Sequence, residues 1–225
     1  MELSVQQQIF DQLRKANKVL IALPANPSAD SVASGLALRI FLQKLQKDVD
    51  VVSSGKIPES LSFLPGASAI GSSLATSKSF VISVATSAKK LEEISYQALA
   101  DKVSIFLKSQ GDPFTPDDVS FSADRFPVDV IVTVDAQSLG DLGLLFEKNT
   151  DLFYETPKIN IDHRASNEYF GAVNLIDITA TSVAEILAEL LEQFEGQLLD
   201  DDIATCLLAG IITKTNSFQH AHTTP

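Results

Sequence analysis

Three aspartates and one histidine have the chemistry to hold a hard divalent cation. Asp135 follows the apolar run Val130-Ile131-Val132-Thr133-Val134, and Asp162 with His163 follows Ile159-Asn160-Ile161. Asp30 lies in the loop after Val19-Leu20-Ile21-Ala22-Leu23. Short apolar runs of this kind read as buried strands. A parallel sheet brings such carboxyl ends to one edge, where its ligands bind. Carboxylates clustered with a His suit a hard divalent ion. Taken singly, an Asp after a strand is a cap or turn residue, so the metal reading rests on convergence.

Other candidates are bland. His220 and His222 form a His-x-His in the last residues, where a frayed terminus is the simpler reading. Ser138-Leu139-Gly140-Asp141-Leu142-Gly143 lacks the dinucleotide-binding glycine spacing. Ser34 and Gly35 suit either phosphate-facing N–H groups or close helix–sheet packing. Cys206, the single cysteine, sits in an apolar run and reads as a buried free thiol, which excludes an intramolecular disulfide and a zinc ribbon.

The elements that would position these residues alternate between strand and helix. Val5, Ile9, Phe10 and Leu13 have helical spacing, and residues 19–23 read as a strand. Residues 24–29 have loop chemistry, and a helix then runs from Asp30 through Leu45, with Asp30 or Ser31 as its cap. Residues 49–52 are the next strand, completing a βαβ unit with parallel pairing. Further along, the pattern predicts a strand over 129–134, a helix over 138–150, and strands over 158–161 and 173–176. Thr181 or Ser182 with Glu185 caps a helix that runs through Phe194 to Gly196, and a last helix starts near 200–202. Residues 67–125 differ. They read as a β-rich insertion with strands over 80–84, 102–108 and 119–121, the second alternating as a half-buried antiparallel strand would. The expected fold is a single α/β domain over 1–225, a mostly parallel sheet with helices on both faces.

Composition narrows the function. Seventeen Lys+Arg against 29 Asp+Glu leave a net charge of −12, which disfavours long nucleic acid and anionic membranes as partners. The N-terminus has no signal-peptide pattern, and the longest apolar stretch, residues 203–213, is too short for a bilayer span. These features suggest a cytoplasmic protein. They leave the oligomeric state open.

Four segments in order carry a resemblance: Asn26-Pro27-Ser28-Ala29-Asp30-Ser31 after a strand, Val134-Asp135, Ile161-Asp162-His163-Arg164 with Asn167, and Gly210-Ile211-Ile212-Thr213-Lys214-Thr215-Asn216-Ser217-Phe218. In order and context they resemble the DHH phosphoesterase superfamily, and within it the RecJ-like exonucleases and the phosphodiesterases of short oligoribonucleotides. The resemblance covers residues 18–66 and 129–225. It implies hydrolysis of phosphate bonds with two manganese or magnesium ions.

The resemblance also shows where this chain departs. The family's first motif reads His-x-x-Pro-Asp-x-Asp; here Pro24 stands for its His, Ser28 for its first Asp, and only Asp30 is kept. Asp135 matches the bridging Asp. Asp-His-His has become Asp162-His163-Arg164, and the fourth-motif Asp has become Lys214. Pro24 and Ser28 remove two of the three ligands of one ion. Asp30, Asp135 and His163 remain of the other ion's set, but an ammonium cannot ligate while protonated. The resemblance therefore implies a degenerate phosphoesterase with no resident cofactor, or manganese or magnesium only if the residual set still works. Arg164 and Lys214 could instead hold the phosphate of a nucleotide or short oligonucleotide, or simply neutralise Asp30, Asp135 and Asp162. Three functions stay open: an impaired domain that binds phosphate, a working phosphodiesterase with an unusual ligand set, and an interaction protein without a ligand. The family's smaller second domain, which completes the substrate site, is expected to lie outside these 225 residues.

Overall fold

The computed structural model describes residues 3–74, 80–123 and 128–219; of residues 80, 81, 122 and 123 it describes the backbone. In chain order the elements are α1 (Val5–Lys15), β1 (Lys18–Ala22), α2 (Ala29–Lys44), β2 (Asp48–Val52), β3 (Ile70–Gly71), β4 (Phe80–Val84), β5 (Lys90–Ala98), β6 (Val103–Gln110), β7 (Val119–Ala123), β8 (Val130–Val134), α3 (Leu144–Glu147), α4 (Thr150–Glu155), β9 (Lys158–Asp162), β10 (Val173–Ile176), α5 (Val183–Glu195) and α6 (Asp201–Lys214). Two compact units result: residues 1–75 with 127–225, and residues 76–126.

The larger unit is built on a six-stranded sheet in the order β10-β9-β8-β1-β2-β3, with every pairing parallel. Strands buried on both faces read as continuous apolar runs, and β1 shows why. Val19 and Ile21 face a core with Ile9, Leu36, Phe41, Leu187 and Ile203, drawn from α1, α2, α5 and α6. Leu20 and Ala22 face the opposite way, into a smaller core with Ile131, Leu142, Leu145 and Phe153. Helices thus cover both faces. Helix α2 is buried nearly all round, and its small residues Ala33, Ser34, Gly35 and Ala37 allow that closeness. A Cβ on Gly35 would come within 2.8 Å of Leu23.

From β1 the chain builds outward through β2 and β3 on one side and returns through β8, β9 and β10 on the other. The order reverses between β1 and β8, so a crevice opens at their carboxyl ends. The loop after β1 is tied across it: the Ala25 N–H donates to Asp141 O at 2.8 Å.

The smaller unit holds two antiparallel pairs, β4 with β7 and β5 with β6. Strand β5 had no forecast from the pattern. The alternation of β6 suggested half-burial, yet Val103, Ile105 and Phe106 are all exposed. The unit begins at 76 rather than 67, because residues 70–71 pair with β2 in the main sheet. The helix expected over 138–150 is broken: a 3-10 turn (Leu139–Leu142) leads to Gly143 at φ 55°, then to the short α3 and α4. Gly143 combines that left-handed backbone with a tight contact, since an added Cβ would lie 2.9 Å from Ala25 Cβ. Among the described residues no helix is long and apolar enough to cross a membrane.

At the other end of the sheet, Asp129 accepts the N–H groups of Lys18 at 2.9 Å and Asn17 at 2.7 Å, joining the starts of β1 and β8. These bonds hold its carboxyl below the usual range. A carboxyl lowered in the folded state stabilises above its unfolded pKa, and that contribution fades as pH falls through the folded value. Asp129→Asn is therefore expected to lower stability near neutrality and flatten its acid dependence. Urea unfolding at about pH 7 and about pH 3 measures both effects, with the variant closest to wild type at the lower pH.

Candidate functional site

Each strand end at the crevice delivers one part of the site. After β1, Ser28 caps α2: its hydroxyl accepts the Ser31 N–H at 3.0 Å and donates to Asp135 Oδ2 at 2.8 Å. Asp30, in the first turn of α2, is buried, and both of its oxygens are engaged. Oδ2 accepts the Val183 N–H at 2.8 Å, and Oδ1 accepts the Ala184 N–H at 3.0 Å and the Ser34 hydroxyl at 3.2 Å. These are the first free amides of α5, so Asp30 acts as a second cap on that helix beside Ser182. Burial pushes its carboxyl up, Asp135 adds to the rise, and the amides and Lys214 oppose it.

At the end of β8, Asp135 has φ 60°, a left-handed backbone. Its Oδ1 lies 4.0 Å from His163 Nε2 and 3.3 Å from Arg164 Nη2. None of these three buried atoms makes a hydrogen bond of good geometry. At the end of β9, Asp162 is fully buried and saturated: Arg164 Nε donates to Oδ1 at 2.9 Å, the His163 N–H to Oδ1 at 2.8 Å, and Asn167 Nδ2 to Oδ2 at 2.8 Å. Asn167 is held in turn by Asn160, which donates to its Oδ1 at 2.7 Å and accepts from Thr133 at 3.1 Å. A polar chain thus runs from β8 through β9 to the loop after it. Asp135, Asp162 and His163 bring ligand atoms within 4.8 Å of one another. Above them is a cleft of about 420 Å³ lined by Pro24, Asn26, Ser28, Asp135, Arg164 and Lys214, among others. Lys214 reaches it from the last position of α6.

Residues 18–211 match the DHH family, N-terminal domain. The chain belongs to the DHH family. A bifunctional oligoribonuclease and PAP phosphatase, NrnA, of Thermus thermophilus is 37% identical over 67 residues, which is 30% of this chain and 20% of that protein. The uncharacterized protein MG371 homolog of Mycoplasma pneumoniae is 30% identical over 109 residues, 45% of this chain and 33% of that one. An exopolyphosphatase-related protein from Bacteroides fragilis, solved by crystallography, shares the fold with a TM-score of 0.68 at 19% identity, over 98% of this chain and 52% of its own. The chain therefore spans about half of that neighbour, and the matched segments span a fifth to a third of the curated relatives.

Enzymes of the DHH family depend on metal ions, so the donor set here can be judged against that need. Every carboxylate oxygen of Asp30 and Asp162 already accepts at least one hydrogen bond, and Ser28 donates to one oxygen of Asp135. Asp135 Oδ1 and His163 Nε2 remain. Ligands about 2.1 Å from one ion can lie 4.0 Å apart only on nearly opposite sides of it. The Arg164 guanidinium is already beside the same oxygen. As arranged, the residues do not fit a two-ion DHH centre.

Of the residues singled out from sequence, Pro24, Ser28, Asp135, Arg164 and Lys214 line one cleft, with Asp162 and His163 clustered at Asp135. Asp30 joins them through Ser28 and α2, but its carboxylate turns to α5. His220 and His222 lie outside the described residues. Asn160 and Thr133 escaped notice because polar residues inside an apolar strand carry no motif. Gly210 opens the fourth motif segment, and a Cβ there would fall 2.9 Å from Asp30 Oδ1 and 2.7 Å from Ala184 Cβ.

Two substitutions test this packing. Asp30→Asn replaces an acceptor with an amide donor facing N–H groups, and a loss of about 1.5–3 kcal/mol is expected in urea unfolding. Gly210→Ala overpacks the same junction and should cost about 1–3 kcal/mol by the same measurement.

Proposed function

We propose that this domain is a DHH phosphoesterase fold that binds a phosphate-bearing ligand and is impaired in two-ion hydrolysis. The observation that carries the reading is the Arg164 guanidinium, which donates to Asp162 and stands 3.3 Å from Asp135 Oδ1, between the carboxylates where an ion would bind. Lys214 supplies a second positive charge to the same cleft. Metal catalysis of phosphoryl chemistry relies on ions clamping the attacking and leaving oxygens. Fixed side-chain cations bind those oxygens but do not activate water.

The ion pair describes the ligand. Arg164 Nη2 and Asp135 Oδ1 stand 3.3 Å apart, and neither makes a hydrogen bond of good geometry. A phosphate oxygen beside a hydroxyl, as in a nucleotide or a singly protonated phosphate, would part this pair and satisfy both groups: the anionic oxygen accepts from Arg164 and Lys214, and the hydroxyl donates to Asp135. The oligoribonuclease and PAP phosphatase activities of the Thermus thermophilus relative make a nucleotide or short oligonucleotide the class to try first.

A second reading, hydrolysis through one ion, is favoured by the gathering of Asp135, Asp162 and His163. Calorimetry with manganese, run beside hydrolysis assays on PAP and a short oligoribonucleotide, separates the two. The proposal expects no stoichiometric manganese binding, no turnover, and saturable binding of PAP that Arg164→Ala weakens about tenfold or more, the scale of one charge-assisted hydrogen bond. Tight manganese binding with turnover would establish the single-ion enzyme instead. Restoring the family's ligands by Pro24→His, Ser28→Asp, Arg164→His and Lys214→Asp together should create manganese binding. If it does not, the site has been misplaced.

A further inference from the structure

The β5–β6 hairpin presents a surface unrelated to the cleft. A tight turn joins the strands, with the Leu99 N–H donating to Lys102 O at 2.8 Å. The register sets Ile94 opposite Leu107, Tyr96 opposite Ile105 and Ala98 opposite Val103, so these six apolar residues share a face. Tyr96 is 77% exposed, Ile94 65% and Val103 63%; on the other face Phe106 is 55% exposed. A two-stranded hairpin with no buried face is marginal in water and gains from added strands.

Its two outer edges differ. That of β5 has a bulge between Leu91 and Glu93 and bears Lys90, Glu92 and Glu93, the devices that keep a free edge unpaired. That of β6 is barer: Val103-Ser104-Ile105-Phe106-Leu107, the part before Lys108, contains no charge, proline or bulge, and no described strand pairs with its outer edge. Counting from the Leu99–Lys102 bond, antiparallel alternation points the N–H and C=O groups of Val103, Ile105 and Leu107 away from β5.

We propose that β6 pairs antiparallel with β6 of a second copy of this chain about a two-fold axis at Phe106, making a continuous β5-β6-β6-β5 sheet. Charge excludes one register and is compatible with this partner. Centring the pair on Ile105 would set Lys102 opposite Lys108 of the second copy, twice, which is destabilising. Centring on Phe106 sets Ser104 opposite Lys108 and Ile105 opposite Leu107, so no like charges face each other, and the two Phe106 rings become neighbours. Residues 89–112 carry four lysines and four carboxylates, a neutral stretch on a chain of net charge −12. Net charge therefore does not oppose the pairing of two copies through this hairpin. The contact is small, so the dimer depends on concentration.

Sedimentation velocity of the 225-residue chain over a concentration series tests this. The expected mass rises from 24.2 kDa toward twice that value, and Ile105→Lys, at an exposed position, holds it at the monomer. Phe106→Cys gives a second readout. Facing residues of a non-hydrogen-bonded antiparallel pair are about 4.5 Å apart at Cα, within disulfide reach. Mild oxidation should therefore yield a reducible dimer, and Ile94→Cys, on β5, should give far less. Cys206 does not compete, because it is buried and its thiol is pushed up to about 11. Circular dichroism checks that each variant folds. A monomer at every concentration would overturn the proposal and leave the β6 edge to a strand of another polypeptide. So would a dimer indifferent to Ile105→Lys, or equal cross-linking by the two cysteine variants.

Discussion

A buried carboxylate at the start of α2 accepts the first two free amides of α5, and much of the larger unit is arranged around that bond. A charge removed from water must find compensation nearby. Asp30 finds part of it in the positive end of a helix dipole and in two N–H groups that would otherwise be orphaned, although burial still raises its carboxyl. The exchange is mutual, since α5 needs an acceptor where α2 needs donors. Gly210 lets α6 close over the junction, and the same helix then carries Lys214 to the cleft. Three helices are thereby fixed against one another on one face of the sheet, and the wall of the cleft follows from their placement.

On the other side of the switch point, Asp162 plays a similar part. It is saturated by Arg164, Asn167 and its neighbour's amide, and the Thr133–Asn160–Asn167 chain keeps it there. A fully satisfied polar network in a low-dielectric setting is rigid. The Arg164 side chain is held by Asp162, leaving one nitrogen turned toward Asp135. The wall of the cleft thus sets a guanidinium and a carboxylate side by side.

Much of this was legible before any coordinates. Apolar runs at 19–23, 130–134 and 159–161 announce strands buried on both faces, and the intervening helical periods announce crossovers; a parallel sheet follows, and so does the convergence of strand ends. The direction of a side chain is harder to read. Asp30 looks alike whether it faces a cleft or a helix terminus, because the amides it accepts lie about 150 residues away. Gly143, at φ 55°, interrupts the 138–150 helix, and a Cβ there would collide with Ala25, also distant in sequence. Period-two alternation in β6 suggested a buried face, but alternation records only which residues share a face, not whether anything covers it.

The backbone of Asp135 has a consequence of its own. At φ 60° most side chains are strained, and after glycine, aspartate and asparagine tolerate it best. Few replacements are open to that position whatever the protein does. Ser28, at φ −74°, carries no such restriction. The identity of residue 135 thus answers to a bend in the chain as well as to the contacts its carboxylate makes.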